Sequence, residues 1–161
     1  MKLVKEKYNF EDFLAEVSQE QKAEITNIHE NMSESGYKNK IEKKASGFLI
    51  AYTHPKTKRS ILNLFFRKDG LQIRIYAENH KQYINFIDNL PEDMEKQVAK
   101  ATNCKRFLTP PECSPTCSAG YDIYIRSNRY QKCRYSCFHF KANTKIFPII
   151  NEFIELEKAA R

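Results

Sequence analysis

Residues 47–77, GFLIAYTHPKTKRSILNLFFRKDGLQIRIYA, constrain the fold more than any other part of the chain. They read as three successive strands, with PKTKR linking the first two and KDG marking a tight hairpin before LQIRIY. Strands this close in sequence must pair antiparallel, because a parallel connection needs a long crossover. In the third strand Leu71, Ile73 and Ile75 alternate with Gln72, Arg74 and Tyr76, so one face is apolar and the other is free to meet solvent or a ligand.

Helical periodicity brackets this meander. Phe10, Phe13, Leu14 and Val17 recur at helix spacing, and Ser18 with Gln21 has the form of a capping box before a second helix striped by Ile25, Ile28 and Met32. Gly36 ends it. After the meander, HKQYINFIDNL is expected to be helical with Tyr83, Ile84, Ile87 and Leu90 inward, and Pro91 followed by Glu92 and Asp93 starts another helix running to about Asn103. Residues 104–120 form a Cys/Pro-rich loop whose prolines oppose regular structure. YDIYIRS, a turn at Asn128 and YQKCRYSCFHF make a second hairpin, and FPIINEFIELEKAAR closes the chain as an amphipathic helix with Pro148 near its start.

The sum is an α+β fold: a largely antiparallel sheet of about five to six strands from two β-rich segments, helices on one face, a helical N-terminal segment over 1–35 and a C-terminal helix. At 161 residues the chain suits one domain with its own core. The start MKLVKEKYNFEDFLAEV has no long apolar run, so neither a secretory signal nor a membrane partner is expected, and the reading is cytoplasmic. Oligomeric state has no signature in the sequence.

Four of the five cysteines fall in two C-x3-C pairs, Cys113/Cys117 and Cys133/Cys137; the fifth is Cys104. In a reducing compartment an odd set of thiols points to metal ligands or free thiols rather than a disulfide framework. On a straight strand Cys133 and Cys137 lie roughly 13 Å apart, too far to share one ion whose thiolates sit about 2.3 Å from it. A zinc site therefore takes Cys113, Cys117 and one strand cysteine, with Cys104 the best fourth ligand, although a bulge would bring Cys137 back into contention. Two other readings stand beside it. Cys133 or Cys137 packs as a small hydrophobe, or Cys113 and Cys117 form a reversible redox pair. Cys137 and His139, about 7 Å apart along a strand, are too loose for a catalytic dyad. His29 and His54 read as surface residues, and His80 as a helix start.

The formal charge is +7, and it is uneven: residues 1–34 carry four lysines against eight acids, so the basic character belongs to the rest. Residues 37–68 hold nine Lys or Arg against one Glu, and 104–145 hold eight against two acids. A basic sheet face carrying Arg126, Arg129, Lys132 and Arg134 beside Tyr124 and Tyr135 is the alternative reading, a module for nucleic acid or another polyanion. Phosphate-cradling glycine loops, H-E-x-x-H and nucleophile-elbow motifs are all missing, which argues against several large enzyme classes.

The tail CFHFKANTKIFPIINEFIELEKAAR, with LNLFFRKDGLQIRIY as the central hairpin, resembles the YdhG-like family of small bacterial proteins. Some members are described as frataxin-like iron chaperones, so the resemblance implies a metal partner without assigning a ligand to any residue here. The expectation is a small non-enzymatic protein in which zinc or a thiol cluster tethers the Cys/Pro-rich loop to a strand.

Overall fold

The meander begins one strand earlier than its hydrophobic pattern implies. A computed structural model describes residues 6–108 and 113–161, and in it β1 (Lys38–Lys44), β2 (Gly47–Thr53), β3 (Ser60–Arg67) and β4 (Gly70–Ile75) follow one another. With β7 (His139–Lys141) they form a five-stranded sheet in the order β1-β2-β3-β4-β7. β5 (Tyr121–Ile125) and β6 (Asn128–Lys132) make a separate two-stranded sheet. The helices are α1 (Phe10–Leu14), α2 (Lys22–Glu34), α3 (Ile84–Asp88), α4 (Glu92–Lys100), α5 (Lys105–Leu108) and α6 (Phe147–Ala160). The fold is α+β, with the C-terminal helix in place. Part of the expected 104–120 loop, with Pro110 and Pro111, lies outside the described residues.

Two compact units emerge, residues 1–73 with 141–147, and residues 74–140 with 148–161. In the first, register places Ile50 opposite Leu64 and Tyr52 opposite Leu62, so these four share one sheet face, and all are fully buried. Helices α1 and α2 cover it through Phe13, Ile25, Ile28 and Met32, each at most 1% exposed. Burying a side chain of this size contributes roughly 1.5–3 kcal/mol. His29 sits in the seam: its ring stacks on Phe10 with centroids 3.8 Å apart, and its Nδ1 lies 2.8 Å from the buried Tyr52 hydroxyl. The surface role read for His29 is therefore corrected. The capping box also moves. Asn9 and Asp12 make it on α1, while Gln21 precedes α2 without capping it and donates to the Ala142 carbonyl.

In the second unit Phe138, Phe153, Tyr83 and Phe86 pack edge to face around α6, with centroids 5.1–6.3 Å apart. Beneath them lies Glu157, a fully buried carboxylate on the inner face of α6. It accepts from the Asn79 backbone N–H at 2.8 Å, Asn79 Nδ2 at 3.0 Å, the Tyr83 hydroxyl at 2.9 Å and Arg161 Nε at 3.1 Å. Arg161 in turn donates to the Tyr76 carbonyl. Every lone-pair direction of the carboxylate is used, which is what makes a charge tolerable at that depth. Sequence periodicity put Ile84 inward with Tyr83 and Ile87; it is 56% exposed. The reason is that His80–Tyr83 is a tight 3-10 turn, whose three-residue pitch shifts the phase of α3 behind it.

Two measurements test this account. Glu157→Ala strands the Arg161 cation and three other donors, so urea unfolding is expected to show a loss of about 3–5 kcal/mol, against under about 1 kcal/mol for the surface change Glu152→Ala. A loss for Glu157→Ala within the range of the surface control would contradict the buried network. For His29, burial lowers the pKa below its ordinary 6.5, so on acidification the unfolded chain binds the proton first. Its contribution to stability is intact above about 6.5 and is lost as pH falls through the lower folded value. His80 shifts in the same direction, again mainly through burial. His29→Gln should flatten part of the pH 7 to 5 fall in stability; an unchanged slope would show that burial leaves His29 without effect.

Candidate thiol site

Lys132, the last residue of β6, is buried, and its ammonium donates to the carbonyls of Ala99 and Ala101, both at 3.0 Å, and to Asn103 Oδ1 at 2.8 Å. The C-terminal end of α4 presents carbonyls with no helical partner, and a cation there satisfies them. Backbone bonds finish the clamp: Cys104 N–H to Gln131 O at 2.9 Å and Cys133 N–H to Thr102 O at 2.8 Å. Two thiol-bearing positions are thereby pinned on either side of Lys132.

β6 stops there because the chain turns. Cys133 O accepts from Ser136 N–H at 3.1 Å and from Cys137 N–H at 2.9 Å, so residues 133–137 form a helical turn rather than a strand. This corrects the straight strand expected to hold Cys133 and Cys137 roughly 13 Å apart. Cys137 is fully buried, and burial pushes its thiol far up despite the nearby Lys132 cation. Phe138 and Phe140 are also fully buried.

The C-x3-C loop folds back through a turn closed by Cys117 N–H to Ser114 O at 3.0 Å. Burial pushes the Cys117 thiol up, the nearby Cys113 and Cys133 thiols act in the same sense, and Arg106 opposes; the thiol itself donates to the Ser118 carbonyl at 3.1 Å. Cys113 and Cys133 are thus within electrostatic reach of Cys117. Cys104 is 5% exposed and its sulfur accepts from Gly120 N–H at 3.3 Å, so it is occupied in holding the loop. Among the described residues, no three His, Cys, Asp or Glu side chains are close enough together to hold a metal ion. No cysteine is in a disulfide.

Gly120 is the functional position that spacing of reactive residues did not reveal. A Cβ there would run into the Lys132 carbonyl oxygen and lie 3.2 Å from the Cys104 Cβ. Only a hydrogen lets the loop lie this close to β6. One signal was present: glycine is scarce, with four in the chain, and this one ends the Cys-rich segment.

The basic residues have internal partners. Arg126 donates to Glu95 Oε2 at 2.6 Å, and Asn128 and Tyr130 donate to the other oxygen of Glu95. Together these bonds hold the Glu95 pKa below the usual carboxylate range. They brace a hairpin turn in which Arg126 and Ser127 have φ of 48° and 69°, a costly conformation for residues other than glycine. Arg129 grips Asp122 through both Nε and Nη2. Arg134 pairs with Glu78 at 3.2 Å and lies 5.7 Å and 5.6 Å from the centroids of the Tyr76 and Tyr135 rings, which meet each other edge to face. Tyr124 and Tyr135 are half exposed, at 52% and 53%. No helix among the described residues is long and apolar enough to cross a membrane.

Comparison with protein-family models, with curated proteins and with solved structures returned no match.

Gly120→Ala places a methyl against a carbonyl and should cost about 1–3 kcal/mol. It should also expose Cys104, so that its thiol reacts with a disulfide reagent in the native protein at least several-fold faster. Wild-type stability together with wild-type Cys104 reactivity would show that the close approach is not required.

Proposed function

We propose that Cys113 and Cys117 are a reversible thiol pair that closes and stiffens the Cys-rich loop beside β6, in a protein whose role is structural or responsive rather than catalytic. The observation that carries this reading is the proximity of the two thiols, four residues apart across a turn closed by Cys117 N–H to Ser114 O, on a loop anchored by Gly120. A thiol whose pKa is raised is a slow nucleophile at neutral pH, which weighs against a catalyst that turns over and makes closure of the pair slow. Closing the pair needs an external disulfide. One thiolate attacks it, forming a mixed disulfide and releasing a thiolate; the second then displaces the other half. The two cysteines lose two electrons and two protons, and the reagent disulfide becomes two thiols.

The neighbouring Cys133 favours a second reading, a soft metal ion on three thiolates. Thiolates are the preferred ligands of zinc, and the likeness of the tail to YdhG-like proteins makes iron worth assaying alongside. The metal would tie Cys113 and Cys117 to the Cys133 turn, with the loop drawing in to complete the set. Cys104 holds Gly120, and Cys137 is enclosed in the core.

Both readings meet one experiment: protein purified without chelator is assayed for zinc and iron, then equilibrated with glutathione disulfide, alkylated under denaturing conditions and mapped. The pair reading expects a Cys113–Cys117 disulfide with Cys104, Cys133 and Cys137 still alkylated, and its loss in Cys113→Ser. About one metal ion per chain, lost in Cys133→Ser, would establish the metal reading in its place. All five thiols alkylated and no metal bound would refute both.

A further inference from the structure

The second unit carries a hollow that neither the thiols nor the buried networks use. It lies between the His80–Tyr83 turn, α3 and β5, with a volume of about 290 Å3. That is just under the range of pockets that accept drug-sized ligands, about 300–1,000 Å3, and suits a smaller molecule. Its apolar wall is Ile84, Ile87, Ile123 and the Tyr124 ring. Ile84 and Tyr124 are among the most exposed large apolar side chains of the described residues, at 56% and 52%, and both border this hollow.

The polar lining is specific. His80 Nδ1 lies 3.1 Å from the Ala77 carbonyl, and since a carbonyl only accepts, Nδ1 carries the proton. The ring is held edge-on to Tyr121, with centroids 5.4 Å apart. The other nitrogen, Nε2, is then an acceptor, and it has no partner among the described residues. Asp122 also lines the hollow, but its oxygens are taken by Arg129 Nε at 2.9 Å, Arg129 Nη2 at 2.7 Å and Gln131 at 3.4 Å. Lys81 lines the hollow too. An ion of either sign therefore meets both an attractive and a repulsive group, whereas a neutral molecule meets neither.

We propose that this hollow binds a small neutral aromatic molecule carrying an O–H or N–H donor, its ring against Ile84, Ile87 and Ile123 and its donor on His80 Nε2. Flat rings suit a slot walled by isoleucines and one tyrosine, where offset stacking on Tyr124 adds to apolar burial. The donor requirement follows from the fixed tautomer. A ligand lacking it leaves Nε2 without a partner and forfeits the desolvation of that nitrogen.

Phenol is the probe, and anisole, the same ring with the donor methylated, is its control. Titrations followed by 15N-edited NMR should show phenol binding with a dissociation constant on the order of 1 mM, as befits so few atoms, with shifts centred on the amides of Ile84, Ile87 and Ile123. Anisole should bind about tenfold more weakly. His80→Phe keeps a flat ring beside Tyr121 and should erase the difference between the two probes. Ile84→Arg changes an exposed residue, so the fold stands, and it should abolish both interactions. Equal binding of phenol and anisole to the wild type, shifts centred elsewhere, or no shifts up to about 10 mM would overturn the proposal.

Discussion

The thiol region depends on one buried cation. Lys132 places an ammonium among three oxygens at the end of α4, where the helix has carbonyls it cannot satisfy. The flanking backbone bonds then fix Cys104 and Cys133 within the same clamp, and Gly120 lets the Cys-rich loop close onto it. A lysine buried without such partners would be intolerable. Here the need to satisfy its three donors dictates where α4 stops, where β6 stops and how near the loop can come.

Net charge is a poor guide to the surface of the second unit. Arg126, Arg129 and Arg134, which made a polyanion surface plausible, each have a carboxylate partner, and Lys132 is buried. Glu95 and Glu78 are distant in sequence from the cations they meet, whereas Asp122 faces Arg129 across the same hairpin. Arg126 braces a turn of unfavourable φ, and Arg129 staples the two strands of a small sheet. Such pairs spend the directional hydrogen-bonding capacity of the guanidinium, leaving less for phosphate. The remaining positive charge gives a long-range field rather than a designed contact.

Burial divides the cysteines by chemistry more clearly than spacing does. Cys137 lies in the core, where a thiolate is strongly disfavoured, whereas Cys113, Cys117 and Cys133 are only partly buried. The C-x3-C pairs look equivalent in the sequence. They diverge because one sits in a partly exposed loop turn with Arg106 near enough to act on it, whereas the other begins at a partly buried Cys133 and ends at a fully buried Cys137.

Much of the architecture was legible in the sequence, since period-two and period-3.6 apolar patterns report directly which side of an element is buried. The meander from Gly47 to Ile75, the stripe of Ile25, Ile28 and Met32, the Tyr121 hairpin and the proline-started final helix were all determined there. β1 was not, because KNKIEKK is an edge strand with most of its side chains exposed, and a strand with no deeply buried face has no period to read. Neither was the turn at Cys133, which depends on a carbonyl captured by residues three and four positions on. The sequence by itself determined the classes of element and the local grouping of the thiols. Only the tertiary structure decided how deeply each thiol is buried, which carboxylates take up the cations and why Gly120 must be glycine, since these turn on packing and partners that local patterns do not report.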